Sequence, residues 1–371
     1  MRPNNVLGIL YASSYEKAVT DLSFHRTMGS IPFGGRYRIV DFMLSAMVNA
    51  GLRHIFMPTK RNYRSLMDHI GNGKQWDLAR KREGIVILPP FSSSESDGVY
   101  ENRVDALQGI AGFIKEDGKD YVLIADSNLI ANPDLGGMLK EHTKTGADIT
   151  IAAVKGTTPM LKNTMLIEYG EDMRVRKCEV LDGKTSEQGY WSPHILLMKK
   201  SLLLDFINCV ETSSEGYFER ELIKSQLGNL KIYAWEMPNF LAAIDSIRTY
   251  YNANMALLEK PNRDMLFDPQ RPVHTKVRDE APSVYSSDVR VKNCLIADGC
   301  VLRGSAENSL LYRGVKVGKG STIRNSVIMQ DCVIGDGVIL DGVILDKHVS
   351  IADGAAIKTR PPYYVGKGVR V

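Results

Sequence analysis

Ile296-Ala297-Asp298-Gly299, Val317-Gly318-Lys319-Gly320, Ile334-Gly335-Asp336-Gly337 and Ile351-Ala352-Asp353-Gly354 punctuate the C-terminal part of the chain, the last three beginning seventeen residues apart. Between them aliphatics recur every five or six positions, at Ile323, Ile328, Ile339 and Ile344. A helix would bring apolar residues back after three and four positions, and a half-buried strand after two. A period near six instead predicts a parallel β-helix, left-handed in the usual hexad form, with one aliphatic per short strand pointing into the prism. Gly and Asp-Gly supply the turn conformations that a Cβ resists. Such a coil can carry an acyltransferase site or serve as a scaffold for assembly and regulation. The first role calls for a histidine, and the only one in this region, His348, reads as a solvated turn residue.

The chain has 371 residues, enough for two cored domains, and a formal net charge of +4 from 47 basic and 43 acidic side chains. That balance, without a dense basic run, gives no reason to expect nucleic acid as a partner. Five cysteines, Cys178, Cys209, Cys294, Cys300 and Cys332, form no C-x-x-C pair and read as reduced thiols. Met1-Arg2-Pro3-Asn4-Asn5 lacks a signal-peptide pattern, and no apolar run reaches the length of a membrane span. The expectation is a soluble, cytoplasmic protein.

Upstream, strand and helix signals alternate. Strands are predicted at Val6–Tyr11, His54–Pro58, Ile85–Leu88, Tyr121–Ala125 and Asp148–Val154. Helices are predicted at Arg38–Ala50, Arg64–Ile70, Val104–Ile114 and Leu135–Thr143. Alternation of this kind implies a mainly parallel sheet covered on both faces, in an α/β domain of Rossmann type. Ligands on such sheets bind beyond the carboxyl ends of strands, here the loops after Tyr11, Leu88 and Ala125. Residues 261–285, with Pro261, Pro269, Pro272 and Pro282, read as a linker.

Phe33-Gly34-Gly35-Arg36-Tyr37-Arg38-Ile39-Val40-Asp41-Phe42 resembles the matching segment of bacterial ADP-glucose pyrophosphorylase, the glucose-1-phosphate adenylyltransferase family. So do Leu88-Pro89, Asp105-Ala106, Tyr121-Val122-Leu123-Ile124 and Tyr250-Tyr251-Asn252-Ala253-Asn254. The resemblance runs nearly end to end. It implies a nucleotidyltransferase-like domain over 1–260, the linker, and a β-helix domain over 286–371. Enzymes of the family make ADP-glucose from ATP and glucose 1-phosphate for glycogen synthesis.

The departures from the family pattern fall on its chemistry. Where the family has Gly-Gly-x-Gly-Thr-Arg-Leu to cradle phosphates, this chain has Ser13-Ser14-Tyr15-Glu16-Lys17-Ala18-Val19, with Ala18 at the arginine. Met28 stands at the lysine that holds the pyrophosphate leaving group, and a charge-assisted hydrogen bond of about 1.5–3 kcal/mol goes with it. Asn128 and Ala243 stand at the two metal-binding aspartates, with Asp126 and Asp245 displaced by two positions as the alternative ligands. Tyr-Arg-Gly-Thr-Ala-Asp-Ala becomes Tyr100-Glu101-Asn102-Arg103-Val104-Asp105-Ala106, and Ser-Met-Gly becomes Ser192-Pro193-His194. The resemblance therefore implies a non-catalytic, GlgD-type regulatory subunit that binds no cofactor of its own. Its partner would be a catalytic subunit, in a heterotetramer, with Mg2+ serving that partner. Ser13, Ser14, Tyr100, Asp105 and Ser192 would line a residual nucleotide or sugar-phosphate pocket. His25, Arg26, Arg36 and Arg38 would bind a phosphorylated effector, guanidinium forks suiting that task. The blander reading pairs Arg38 with Asp41 and leaves Arg26 solvated. An active nucleotidyltransferase using Lys17, Asp126 and Asp245, and a β-helix acyltransferase, are the alternatives.

Overall fold

Val6–Tyr11 is buried along its whole length and is the third strand from one edge of a ten-stranded sheet. Its parallel neighbours are His54–Pro58, aligned Leu7 to His54, and Tyr121–Asp126, aligned Leu7 to Val122. Gly8 permits the close packing here, because a Cβ there would meet Ile55 and Met47 side chains at 3.1 Å. Gly84–Leu88 extends the parallel block on the far side of His54–Pro58. On the other flank Leu196–Lys199 runs antiparallel to Tyr121–Asp126, and Ile149–Thr157, Gln188–Ser192, Met165–Tyr169 and Val175–Val180 continue outward. The computed structural model describes residues 1–90, 100, 102–209, 218 and 222–371.

The helix predicted from Arg38 runs Ile39–Asn49, started by Asp41 Oδ2 accepting the Arg38 backbone N–H at 2.9 Å. Gly51, at φ 89°, turns the chain out of it. The segment expected as one helix over Val104–Ile114 is two, Arg103–Gly109 and Ala111–Glu116, with Ile110 between them at φ −107° and ψ 8°. Gly109 is where the bend lies against Tyr100, whose ring leaves 2.5 Å for a Cβ. Lys260–Leu266 is helical, so the first residues of the predicted linker are ordered. The segment after it is held by Asn49 Nδ2 donating to Pro272 O and by His274 N donating to Ser45 Oγ.

The C-terminal region forms a parallel β-helix of stacked short strands. Leu310 aligns with Val327 and Val327 with Ile344, each seventeen residues on. Cys300, Leu302, Val317, Ile323, Ile334, Leu340 and Ile351 fill its interior. One cassette belongs elsewhere than the repeat suggests. Ile296 aligns with Leu311 and Leu302 with Val317, so Ile296-Ala297-Asp298-Gly299 occupies a different corner of the coil from the other three. The first coil is fifteen residues long at that point, as the Val291–Ala306 pairing shows, and the sequence repeat is correspondingly out of step.

The β-helix is not an appendage. Leu310, Tyr312, Val327, Met329 and Ile344 join Phe33, Phe42, Tyr250 and Leu257 in one buried apolar cluster. Each such side chain contributes about 1.5–3 kcal/mol relative to exposure, which makes the seam between the two regions a core in its own right. Tyr250 Oη donates to Pro32 O at 2.6 Å and Tyr312 Oη to Asn254 Oδ1 at 2.7 Å, so its buried hydroxyls are satisfied.

Candidate functional site

Two places gather the residues singled out above. The first is the crevice beyond the carboxyl ends of Val6–Tyr11 and Tyr121–Asp126. Tyr15 adopts a left-handed conformation at φ 58°, and Glu16–Val19 closes the loop as a 3-10 turn. Burial pushes the Glu16 carboxyl up to about 7, against the Ser13 hydroxyl, the Met28 backbone amide and Lys60. A phosphate group would meet this carboxyl where the family keeps glycine. Ala18 is half-buried, Lys17 is exposed, and Met28 is fully buried in the seam cluster.

Asn128 and Ala243 are brought together by pairing of the strands Leu129–Ala131 and Phe240–Ala243, with Ile244 N donating to Asn128 O at 2.8 Å. The fold thus brings together the two positions that the resemblance assigns to metal ligands, and neither carries a carboxylate. The displaced aspartates are committed to other partners. Asp126, fully buried, accepts from Arg103 Nη2 at 2.5 Å and from Ser14 Oγ at 2.6 Å. Asp245 accepts from Met160 N at 2.9 Å, Thr249 Oγ1 at 2.8 Å and Ser246 Oγ at 2.9 Å, around the start of the helix Ile247–Ala256. Among the described residues no cluster of three or more His, Cys, Asp and Glu side chains could hold a metal ion.

The other residual-pocket residues also have local tasks. Asp105 accepts from the Asn102 N–H at 3.3 Å and Asn102 Oδ1 from the Asp105 N–H at 3.0 Å, a reciprocal cap. Ser13 Oγ accepts from Lys60 N, Ser192 Oγ from His194 N, and Tyr100 covers Gly109. Glu101 and the segment 91–99, which includes the loop after Leu88, lie outside the described residues. In this crevice the residue that sequence reasoning missed is Arg103. Its guanidinium lies 5.3 Å from the centre of the Tyr11 ring and 5.9 Å from that of Phe218, and it is bonded to Asp126. A cation thus fills the crevice from within. The sequence offered only half a signal, an arginine in the family's Gly-Thr position, because its partner Asp126, read above as an alternative metal ligand, is brought to it by the sheet.

The second place is the seam. Arg36 and Arg38, Lys276 and Arg278, and Arg313 and Lys347 surround a small open cavity whose lining contains no carboxylate. Arg38 is buried, and its Nη1 donates to Ser65 O at 2.7 Å and Ser65 Oγ at 2.6 Å. It does not pair with Asp41, which accepts from the Arg38 backbone and lies 2.6 Å from His69 Nε2 instead. Arg26 is not solvated either. It is 3 % exposed, and its Nη2 lies 2.9 and 2.8 Å from the two Asp346 oxygens, while its Nη1 is buried without a partner. His25 is exposed, edge-on to Phe24, and lies outside the cavity lining.

The β-helix supplies the far wall. Arg313, Gln330 and Lys347 stack at one corner of successive coils, seventeen residues apart; sequence reasoning missed all three, and that spacing is the signal that could have found them. Arg313 is 4 % exposed, and its Nε and Nη2 are buried without a hydrogen-bond partner. These two N–H groups form the side-on fork of a guanidinium, the geometry that matches two oxygens of a phosphate or carboxylate. Burial, with Arg36 and Arg278 nearby, lowers the Arg313 pKa, opposed by Asp298 and Glu280. Burial likewise lowers Arg38 to about 10, with Asp41 and Asp68 opposing and Arg26 and Arg278 reinforcing the effect. Lys347 falls to about 7, through burial and the charges of Arg38, Arg26 and Arg278, against Asp346. Mutually repelling, partly desolvated cations of this kind are stabilised by an external anion.

Comparison with known proteins agrees with both halves of the fold. The nucleotidyl transferase family matches residues 17–177, and the family described as GlmU-like, C-terminal hexapeptide matches residues 281–361. The glycogen biosynthesis protein GlgD of Bacillus subtilis (strain 168) is 36% identical over 325 residues, covering 86% of this chain and 83% of that protein. GlgD of Geobacillus stearothermophilus is 37% identical over the same shares. The glucose-1-phosphate adenylyltransferase of Halalkalibacterium halodurans is 28% identical over 321 residues, covering 86% of this chain and 84% of the enzyme.

Proposed function

Since the chain belongs to the GlgD family of glycogen biosynthesis proteins, we propose that it serves glycogen synthesis as a non-catalytic regulatory subunit. Its partner is a catalytic glucose-1-phosphate adenylyltransferase, in a mixed tetramer, and Mg2+ is bound by that partner. A phosphorylated effector occupies the seam cavity. The observation that supports the first part is the juxtaposition of Asn128 and Ala243, the positions the resemblance assigns to two metal ligands, beside a crevice neutralised by Arg103 and Asp126. Magnesium in phosphoryl-transfer sites relies on one or two carboxylates together with the substrate phosphates. Without them, and with Glu16 and Met28 at phosphate-holding positions, the chemistry lacks its charge compensation. The observation that supports an effector is the unpartnered fork of buried Arg313 within a wall of cations.

A regulatory subunit acts by favouring one state of an assembly, and a coupling of about 1–3 kcal/mol changes affinity five- to 150-fold. The purified chain, given ATP, glucose 1-phosphate and Mg2+, should form no ADP-glucose. Turnover at the level of an ordinary family enzyme would refute the non-catalytic reading. The acyltransferase alternative has little in its favour, as His348 is exposed on a turn at φ 61°.

A further inference from the structure

The seam cavity holds six cations and one histidine, and they differ in how easily they give up a proton. The guanidiniums of Arg36, Arg38, Arg278 and Arg313 stay charged through the neutral range. Lys276 Nζ donates to Asp68 O at 2.6 Å and Asp68 Oδ1 at 3.2 Å, so its charge has a nearby counterion. His69 lies 2.6 Å from Asp41 through its Nε2, yet burial, with Arg38 and Lys276 nearby, keeps its pKa below the ordinary imidazole value, so it carries no proton to lose above neutral pH. Lys347 has no counterion of the kind Lys276 has. Its neighbour Asp346 accepts from Arg26 Nη2 on both oxygens, from Tyr364 Oη on Oδ2 at 2.7 Å and from the Lys347 backbone N–H on Oδ1 at 2.7 Å. No carboxylate among the described residues forms an ion pair with the Lys347 ammonium. The charged groups acting on it are Arg38, Arg26 and Arg278, with Asp346 alone opposing, while Arg36, Lys276, His69 and Arg313 line the same cavity.

We propose that anion binding in the seam cavity is coupled to proton uptake by Lys347, so that the cavity responds to pH as well as to ligand. This rests on the effector reading above and adds its regulation. The cavity geometry makes Lys347 the cation that yields first, and its pKa near 7 in the empty cavity agrees. An oxyanion on the Arg313 fork supplies the missing negative charge and restores the proton. The sign follows from linkage: the free state holds fewer protons than the bound state above neutral pH, so affinity is full below about pH 7 and weakens as pH rises. With a free-state pKa near 7 and a bound-state value well above 8, affinity falls about tenfold between pH 6 and pH 8.

Sulfate is a suitable probe because it does not titrate in this range. Titration calorimetry of the full chain at pH 8, in two buffers of different ionisation enthalpy, should show close to one proton taken up per sulfate bound. At pH 6 the uptake should nearly vanish. Lys347→Arg should still bind sulfate, with no proton uptake and a flat pH dependence. Sulfate binding by the wild-type chain without proton uptake, or uptake that persists in Lys347→Arg, overturns this inference and leaves the effector reading standing. No sulfate binding by the folded wild-type chain overturns the effector reading and this inference together.

Discussion

The strand-end crevice and the seam cavity are both built around arginine, and they treat its charge in opposite ways. In the crevice Arg103 is answered from inside the chain, by a fully buried Asp126 that also holds Ser14. In the seam Arg38, Arg313 and Lys347 face one another across a lining without a carboxylate, and Asp346 is spent on Arg26. A buried charge left unpaired is costly, and folds keep such an arrangement where a ligand completes it. On the proposed reading, lost catalysis and retained binding are told apart by where counter-charges sit: inside the chain at the crevice, and on a ligand at the seam.

Removing the crevice's counter-charge is the strongest challenge to this contrast. Asp126→Ala should destabilise the chain by about 3–5 kcal/mol in chemical denaturation, because it strands the Arg103 guanidinium. Asp126→Asn, milder in shape, should leave the activity of a mixed complex nearly unchanged. If it abolished activity with assembly intact, the displaced-metal alternative would return. The seam should respond in the other direction. Sulfate at about one hundred times its dissociation constant should stabilise the folded chain by about 2.7 kcal/mol, read as a rise in Tm, with most of the rise lost in Arg313→Ala.

A smaller effect sharpens the same point. Lys347 has its pKa lowered in the folded state, so the unfolded chain binds more protons between about pH 7 and the ordinary lysine range. Stability therefore rises with pH across that window, and the charge is a full cost below about pH 7. Lys347→Met should stabilise the ligand-free chain at pH 6–7 by on the order of 1 kcal/mol, while weakening sulfate binding. The smallest change is Arg313→Lys, which keeps the charge and loses the fork. A loss of sulfate affinity of about threefold to tenfold is expected, less than for Arg313→Ala.

How much of this was legible in the sequence differs between the two places. The hexad period exposed the β-helix because its interior is set by local spacing, and strand–helix alternation exposed the sheet for the same reason. Asn128 and Ala243 could be assigned to metal positions from the sequence because they sit in segments whose neighbours still match a known pattern, and the fold brings the two together. Arg103 could not be read this way, since its partner Asp126 is brought to it only by the sheet. Arg36 and Arg38 were readable from one stretch of sequence that matches the family's pattern, but Arg313, Gln330 and Lys347 become neighbours only through the seventeen-residue stacking of coils. The first cassette misled in the same way, a turn that resembled the others in composition while lying at another corner. Arg26 was expected to be solvated or effector-binding. Its buried pairing with Asp346 joins residues 320 positions apart, a distance no local pattern reports.

The central claim is that this chain regulates a catalytic homologue and performs no turnover itself. It is tested most directly by titrating the chain into a fixed concentration of that homologue and following ADP-glucose formation, with complex formation monitored in the same samples. The account predicts that substrate affinity, maximal rate or effector response shifts as the mixed complex forms, by about five-fold or more, and that an effector-dependent part is lost with Arg313→Ala. Kinetics that stay unchanged across a titration that demonstrably forms the mixed complex would contradict it.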